Sequence, residues 1–225
     1  MNKIQATQNL NKVVTQIEGA RLRVSDHHIV KLIAVSKYSN TKDIETLYNV
    51  GQRAYGENKV QDLKEKMTAL DELPLEWHFI GHLQKNKINN LIDAKPTLMH
   101  SLDSLELAYE LNKKLLSKNA TMKCLLQINS ANEESKTGFN EEEAYEAYNS
   151  ILNECSAIKL IGVMSIGAHS KERAEIKKSF LVTKKIYEQV KPLGARYCSM
   201  GMSSDFELAI ECGSNMIRVG SSLFK

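Results

Sequence analysis

The run Val30-Lys31-Leu32-Ile33-Ala34-Val35-Ser36-Lys37, followed at once by Tyr38, decides how this chain folds. Its apolar residues are nearly contiguous, as expected of a parallel strand covered on both faces; a half-solvated strand would alternate. An open doubly wound sheet usually follows its first strand with a Gly-rich turn, and Ser36-Lys37-Tyr38 is no such turn. Closure of the sheet into a barrel is therefore expected.

The same rhythm extends in both directions. An amphipathic helix is expected over about residues 2–24, before the first strand at 30–37, and a helix at 41–50 follows it. Strand-like runs recur at 53–57, 75–81, 97–102, 122–129, 158–166, 196–200 and 216–219. Charged segments with helical period fill the gaps at about 59–72, 84–94, 104–118, 141–154, 171–190 and 204–212. Three prolines and no Gly/Ser linker interrupt this alternation. The expectation is one α/β domain over 1–225, a (β/α)8 barrel with an extra N-terminal helix.

Thirty basic and 27 acidic residues are interspersed, so no nucleic-acid face is expected. The polar start and the lack of a run of about 20 apolar residues argue against a secretory signal and a membrane span, which predicts a cytoplasmic protein. Cys124, Cys155, Cys198 and Cys212 stand apart without a CxxC pair, so neither zinc nor disulfides are expected. His78 and His82 lack a carboxylate at metal-ligand spacing and read as packing or rim residues. No long apolar stripe demands a dimer, which leaves a monomer as the expectation.

In a (β/α)8 barrel the chemistry lies where the strands end, with phosphate commonly held after strands seven and eight. There stand Ser199-Met200-Gly201-Met202-Ser203-Ser204-Asp205 and Arg218-Val219-Gly220-Ser221-Ser222. Small residues let backbone amides and hydroxyls approach an anion closely, whereas either loop alone would pass for turn chemistry and an N-cap. Lys37 ends the first strand, where partial desolvation would leave its amine free to condense with an aldehyde. A lysine there also suits snorkelling to solvent or pairing with Glu57. Arg218 is placed to direct an N–H at a pyridine nitrogen, or simply to neutralise a phosphate or Asp205. Asn58 suits a bond to a ring hydroxyl and equally a helix N-cap.

Ile33-Ala34-Val35-Ser36-Lys37, Tyr55-Gly56-Glu57-Asn58, Trp77-His78-Phe79-Ile80-Gly81 with Leu83-Gln84-Lys85-Asn86-Lys87, and the two C-terminal loops together resemble the pyridoxal phosphate homeostasis proteins. These are small relatives of the N-terminal barrel of alanine racemase. The resemblance implies pyridoxal 5′-phosphate as cofactor, with Lys37 as its covalent Schiff-base residue. It also implies that Ser203, Gly220 and Ser221 hold the phosphate, with Ser199 and Ser204 in the same loop, and that Arg218 faces the pyridine nitrogen beside Asn58. Relatives often carry threonine at Ser165 and then a proline; Ser165 keeps the hydroxyl. Ser221 likewise stands where threonine is usual.

The resemblance implies a carrier that buffers or delivers the cofactor to apo-enzymes, with indirect effects on amino-acid and keto-acid pools. Alanine-racemase-like chemistry needs a second base from a further β domain, and the barrel and its helix use all 225 residues, so no catalytic residue is expected. Two alternatives stand: a slow pyridoxal-dependent racemase using Tyr38, His82 or His169 as its base, and a sugar-phosphate barrel using Lys37 without a cofactor.

Overall fold

A computed structural model describes residues 1–133 and 136–225. Helix α1 (Lys3–Leu22) precedes eight strands: β1 (Lys31–Val35), β2 (Ala54–Glu57), β3 (Glu76–Phe79), β4 (Leu98–Leu102), β5 (Met122–Ile128), β6 (Ile158–Ser165), β7 (Tyr197–Ser199) and β8 (Met216–Val219). Each strand pairs in parallel with the next, and β8 returns to β1 through Lys31↔Met216 to Ala34↔Val219, closing the barrel. Crossover helices are α2 (Thr41–Asn49), α3 (Val60–Ala69), α4 (Ile88–Ala94), α5 (Leu105–Ser117), α6 (Glu141–Glu154), α7 (Arg173–Val190) and α8 (Phe206–Glu211), with a short α9 (Ser221–Phe224) at the end.

Observed strands fall inside the expected ranges, and all but β8, which matches its range, are shorter. β1 stops at Val35, and although Ser36 N–H still donates to Gly56 at 3.0 Å, Lys37 lies in the turn beyond. Apolar run length marks how far a strand is buried; ladder pairing ends sooner, where the chain turns outward to reach its helix. Helix α9 was not expected, because four residues are too few to show a period.

Residues opposed across parallel strands share a face. Ile33 opposes Arg218, Gly56 opposes His78, His78 opposes Leu98, and Met216 opposes Ser199, so all of these face inward. Ile33, Ala54, Leu98, Leu125, Met164 and Met216 form an apolar plug that packs separately from the larger core between strands and helices. The rest of the interior is polar. His78 and His100 are buried there and bonded to one another at 2.9 Å, and burial holds both rings below the ordinary histidine pKa.

A buried ion pair fixes the end of β1. Glu57, fully buried at the end of β2, accepts from Lys66 of α3 at 2.7 Å and from the Ser36 hydroxyl; Lys66 also donates to the Ser36 carbonyl at 2.8 Å. Three elements are thereby tied together one residue before Lys37.

Lys66→Met leaves Glu57 buried without its cation and should lower stability in urea by about 3–5 kcal/mol, most of it recovered in the double variant with Glu57→Gln. The depressed histidine pKa values mean that, below the unfolded value of 6.5, the unfolded chain takes up protons that the native barrel refuses. Stability should therefore be full above that pH and fall as the pH drops below it, by up to about 1.4 kcal/mol per pH unit for each ring, read from melts at pH 7.5 and 5.5.

Candidate cofactor site

Closing β8 against β1 sets the two strand ends side by side, and the last loop then faces the first. Between them, at the C-terminal mouth, opens a cavity of about 730 Å³, within the size range of small-molecule sites. Lys37 and Asn58 line it from the ends of β1 and β2. Ser203 and Ser204 come from the loop after β7, and Arg218, Gly220 and Ser221 from the end of β8 and beyond.

The two C-terminal loops are physically coupled. Gly220 N–H donates to the Ser203 hydroxyl at 3.1 Å, while Met202 N–H donates to the Asp205 carboxylate at 2.7 Å. Burial pushes the Asp205 carboxyl upward, against the pull of that amide, of the Ser204 hydroxyl and of the Arg218 charge. Gly201 has φ +98°, and a Cβ there would come within 2.6 Å of the Ala209 side chain. Its small size therefore serves close packing of the loop on α8, whereas Gly220 is the glycine at the cavity wall.

Lys37 is exposed in the mouth, so the partial desolvation expected of it is not provided by the protein. Its amine lies over the Tyr38 ring, 4.9 Å from the centroid. The alternative partner Glu57 is occupied by Lys66 and Ser36. Asn58 lines the cavity, and the cap position of α3 is taken by Lys59 without a side-chain bond, which removes the N-cap reading of Asn58.

Arg218 is 5 % exposed. It donates from Nη1 to the Ser199 hydroxyl at 2.7 Å and from Nη2 to the Ser165 carbonyl at 2.8 Å. Burial lowers its pKa to about 10, with the Asp205 charge acting in the opposite sense, so it stays cationic at neutral pH. Ser165 and Ser199 are fully buried and stand behind Arg218, not at the cavity wall. The Ser165 hydroxyl is taken by Thr183 at 2.7 Å. Both serines were expected among the cofactor contacts because they stand at strand ends; which way each hydroxyl turns depends on the helix behind the strand.

Sequence reasoning missed the apolar walls Ile80, Met164 and Ile166. The three apolar residues follow the two-residue alternation beyond His78 and along β6 past its end, which would have found them. His78 and His82, read as packing or rim residues, divide between those roles: His78 is buried in the barrel, whereas β3 ends at Phe79 and His82 turns outward to Asp103 at 2.9 Å.

A phosphorylated pyridine aldehyde fits this arrangement, because a free amine, a pair of Gly/Ser loops and a buried donor-only guanidinium border one cavity. A family profile described as alanine racemase, N-terminal domain, matches residues 9–225. The pyridoxal phosphate homeostasis protein of Helicobacter pylori is 54% identical over 218 residues, covering 97% of each chain. The solved structure of PipY from Synechococcus elongatus with pyridoxal phosphate bound has a TM-score of 0.81 at 29% identity, covering 98% of this chain and 100% of PipY. Alanine racemase from Clostridium difficile, at 17% identity, shares the fold with a TM-score of 0.75 across 96% of this chain and 56% of its own. On sequence and architecture together, this chain belongs to the pyridoxal phosphate homeostasis protein family, whose barrel is the alanine racemase N-terminal domain.

Proposed function

We propose that the chain acts in intracellular pyridoxal 5′-phosphate homeostasis, holding the cofactor on Lys37 and buffering or delivering it, with indirect effects on amino-acid and keto-acid pools. The observation that carries this reading is that Lys37, Arg218, Ser203, Gly220 and Ser221, distant in sequence, border one cavity. When bound, the cofactor supplies an aldehyde that a lysine amine can hold through a carbon–nitrogen double bond.

The roles then divide by chemistry. Ser203, Ser204, Gly220 and Ser221 hold the phosphate through hydroxyls and amides. Asn58 meets the ring hydroxyl. Arg218, able only to donate, faces the ring nitrogen and keeps it unprotonated. An unprotonated ring is a weak electron sink, which suits storage better than carbanion chemistry. Ser165 and Ser199 act indirectly, by holding Arg218. A wide mouth with an exposed lysine also suits a carrier that must give its cargo up.

We further propose that residues 1–225 work as one cofactor-holding domain and a monomer, that contacts with recipient apo-enzymes are transient, and that the protein is cytoplasmic. The four free, buried cysteines are in keeping with a reducing compartment. No helix of the described residues is long and apolar enough to cross a membrane.

Purified protein loaded with pyridoxal phosphate should absorb in the near-visible, and borohydride followed by peptide mapping should place the pyridoxyl group on Lys37. Lys37→Ala should lose that band while keeping its stability within about 0.5 kcal/mol, since it removes an exposed amine and no core volume. A colourless protein that never takes up the cofactor would refute the reading in favour of a sugar-phosphate barrel. Amino acids incubated with the loaded protein in D2O should show no α-deuterium exchange at enzyme-like rates by NMR; rapid exchange would make the protein a catalyst.

A further inference from the structure

The polar groups inside the barrel form a file from its N-terminal end to the cavity. Lys31 and Glu76, the first residues of β1 and β3, form a partly exposed ion pair at that end. Glu76 Oε2 lies 3.6 Å from His78 Nε2, and His78 Nδ1 lies 2.9 Å from His100 Nε2. His100 Nδ1 lies 3.4 Å from the Ser199 hydroxyl, which receives Arg218 Nη1 at 2.7 Å.

Elementary donor and acceptor rules give this file a direction. A guanidinium has no lone pair to offer, so Arg218 donates and Ser199 accepts. The single serine hydrogen is then free for His100 Nδ1, which puts the proton of that neutral ring on Nε2. That proton points at His78 Nδ1, so His78 also carries its proton on Nε2, toward the Glu76 carboxylate. The far end demands the same answer. Glu76 is ionised in its pair with Lys31, and an ionised carboxylate 3.6 Å away repels a bare ring nitrogen. A cation at the mouth and an anion at the floor thus select one tautomer of each histidine.

We propose that His78 and His100 are positioning residues for Arg218, acting through Ser199 as a one-directional hydrogen-bond chain along the barrel interior, which Glu76, anchored by Lys31, orients by its charge across 3.6 Å and not by a hydrogen bond. This rests on the reading that Arg218 meets the cofactor ring. Because the chain ends at a group that cannot accept, it does not carry protons to the cavity; it fixes the aim of the guanidinium and lends it the polarisation of a distant carboxylate. The charged groups bearing on the histidines are Lys31, Glu76 and Arg218; burial keeps both rings neutral, the two cations act in the same sense, and Glu76 alone opposes, on His78.

The test uses the full chain, first without ligand. Nitrogen-15 NMR of histidine-labelled protein at pH 7 should show His78 and His100 both neutral with the proton on Nε2. Glu76→Gln, whose amide can donate back toward His78, should mix the tautomers. After loading with pyridoxal phosphate, the pH midpoint of the near-visible band should move by at least about half a unit in Glu76→Gln and in Ser199→Ala, while Ser199→Thr, which restores the hydroxyl, should return it to the wild-type position. A proton on Nδ1 of either ring, or wild-type midpoints in both variants despite normal loading, would overturn the proposal. If the wild-type protein takes up no pyridoxal phosphate, the cofactor reading falls instead, and the tautomers alone decide whether the chain exists.

Discussion

The pairing of β8 with β1 is the constraint on which the site depends. Parallel strands in register end together, so Ala34 opposite Val219 brings the turn carrying Lys37 against the turn carrying Gly220. The approach is close: a Cβ on Gly220 would stand 3.2 Å from the Val35 carbonyl oxygen. Residues 183 positions apart in the chain are made to face one cavity by backbone hydrogen bonds alone, before any side chain is considered. The lysine can stay exposed and unpaired because its position is set by the strand beneath it and by the Glu57–Lys66 clamp, not by contacts of its own.

A second feature follows from closing a small barrel. The interior of eight strands is narrow, and here only its middle is filled by apolar side chains. The remaining inward positions carry Lys31, Glu76, His78, His100, Ser199 and Arg218. Buried polar groups are costly when they lack a partner, and the 3.6 Å separation of Glu76 and His78, too long for a hydrogen bond, leaves His78 Nε2 unpartnered at the end of this file. Such a network is costly in desolvation and gives little net stability, so its value lies in the single orientation it allows the guanidinium.

Much of this was legible in the chain of residues. Continuous apolar runs separated by charged helical segments indicate a parallel sheet, and the absence of a Gly-rich turn after Val35 favours closure. Lys37 at the first strand end and Gly/Ser loops at the last two follow from the same spacing, because position along a strand dictates which end of a barrel a residue occupies. Helix α9 and the early end of β1 were not legible, since both turn on a few backbone bonds. Nor was the retreat of Ser165 and Ser199 from the cavity: a strand-end serine looks the same whether its hydroxyl faces a ligand or, as with Ser165, a threonine on the helix behind.

The sequence by itself determined the alternation of strands and helices, the barrel expectation, the family, and which ends of which strands carry reactive groups; these are local properties, written in periodicity, turn chemistry and motif. Tertiary structure alone decided that Glu57 pairs with Lys66 and not with Lys37, that Asn58 lines a cavity and caps no helix, and that two histidines from neighbouring strands join a serine and an arginine in one buried file. The physical reason is that a polar side chain takes whichever partner the fold brings within about 3 Å, and that choice depends on strand register and helix docking, which no stretch of sequence contains.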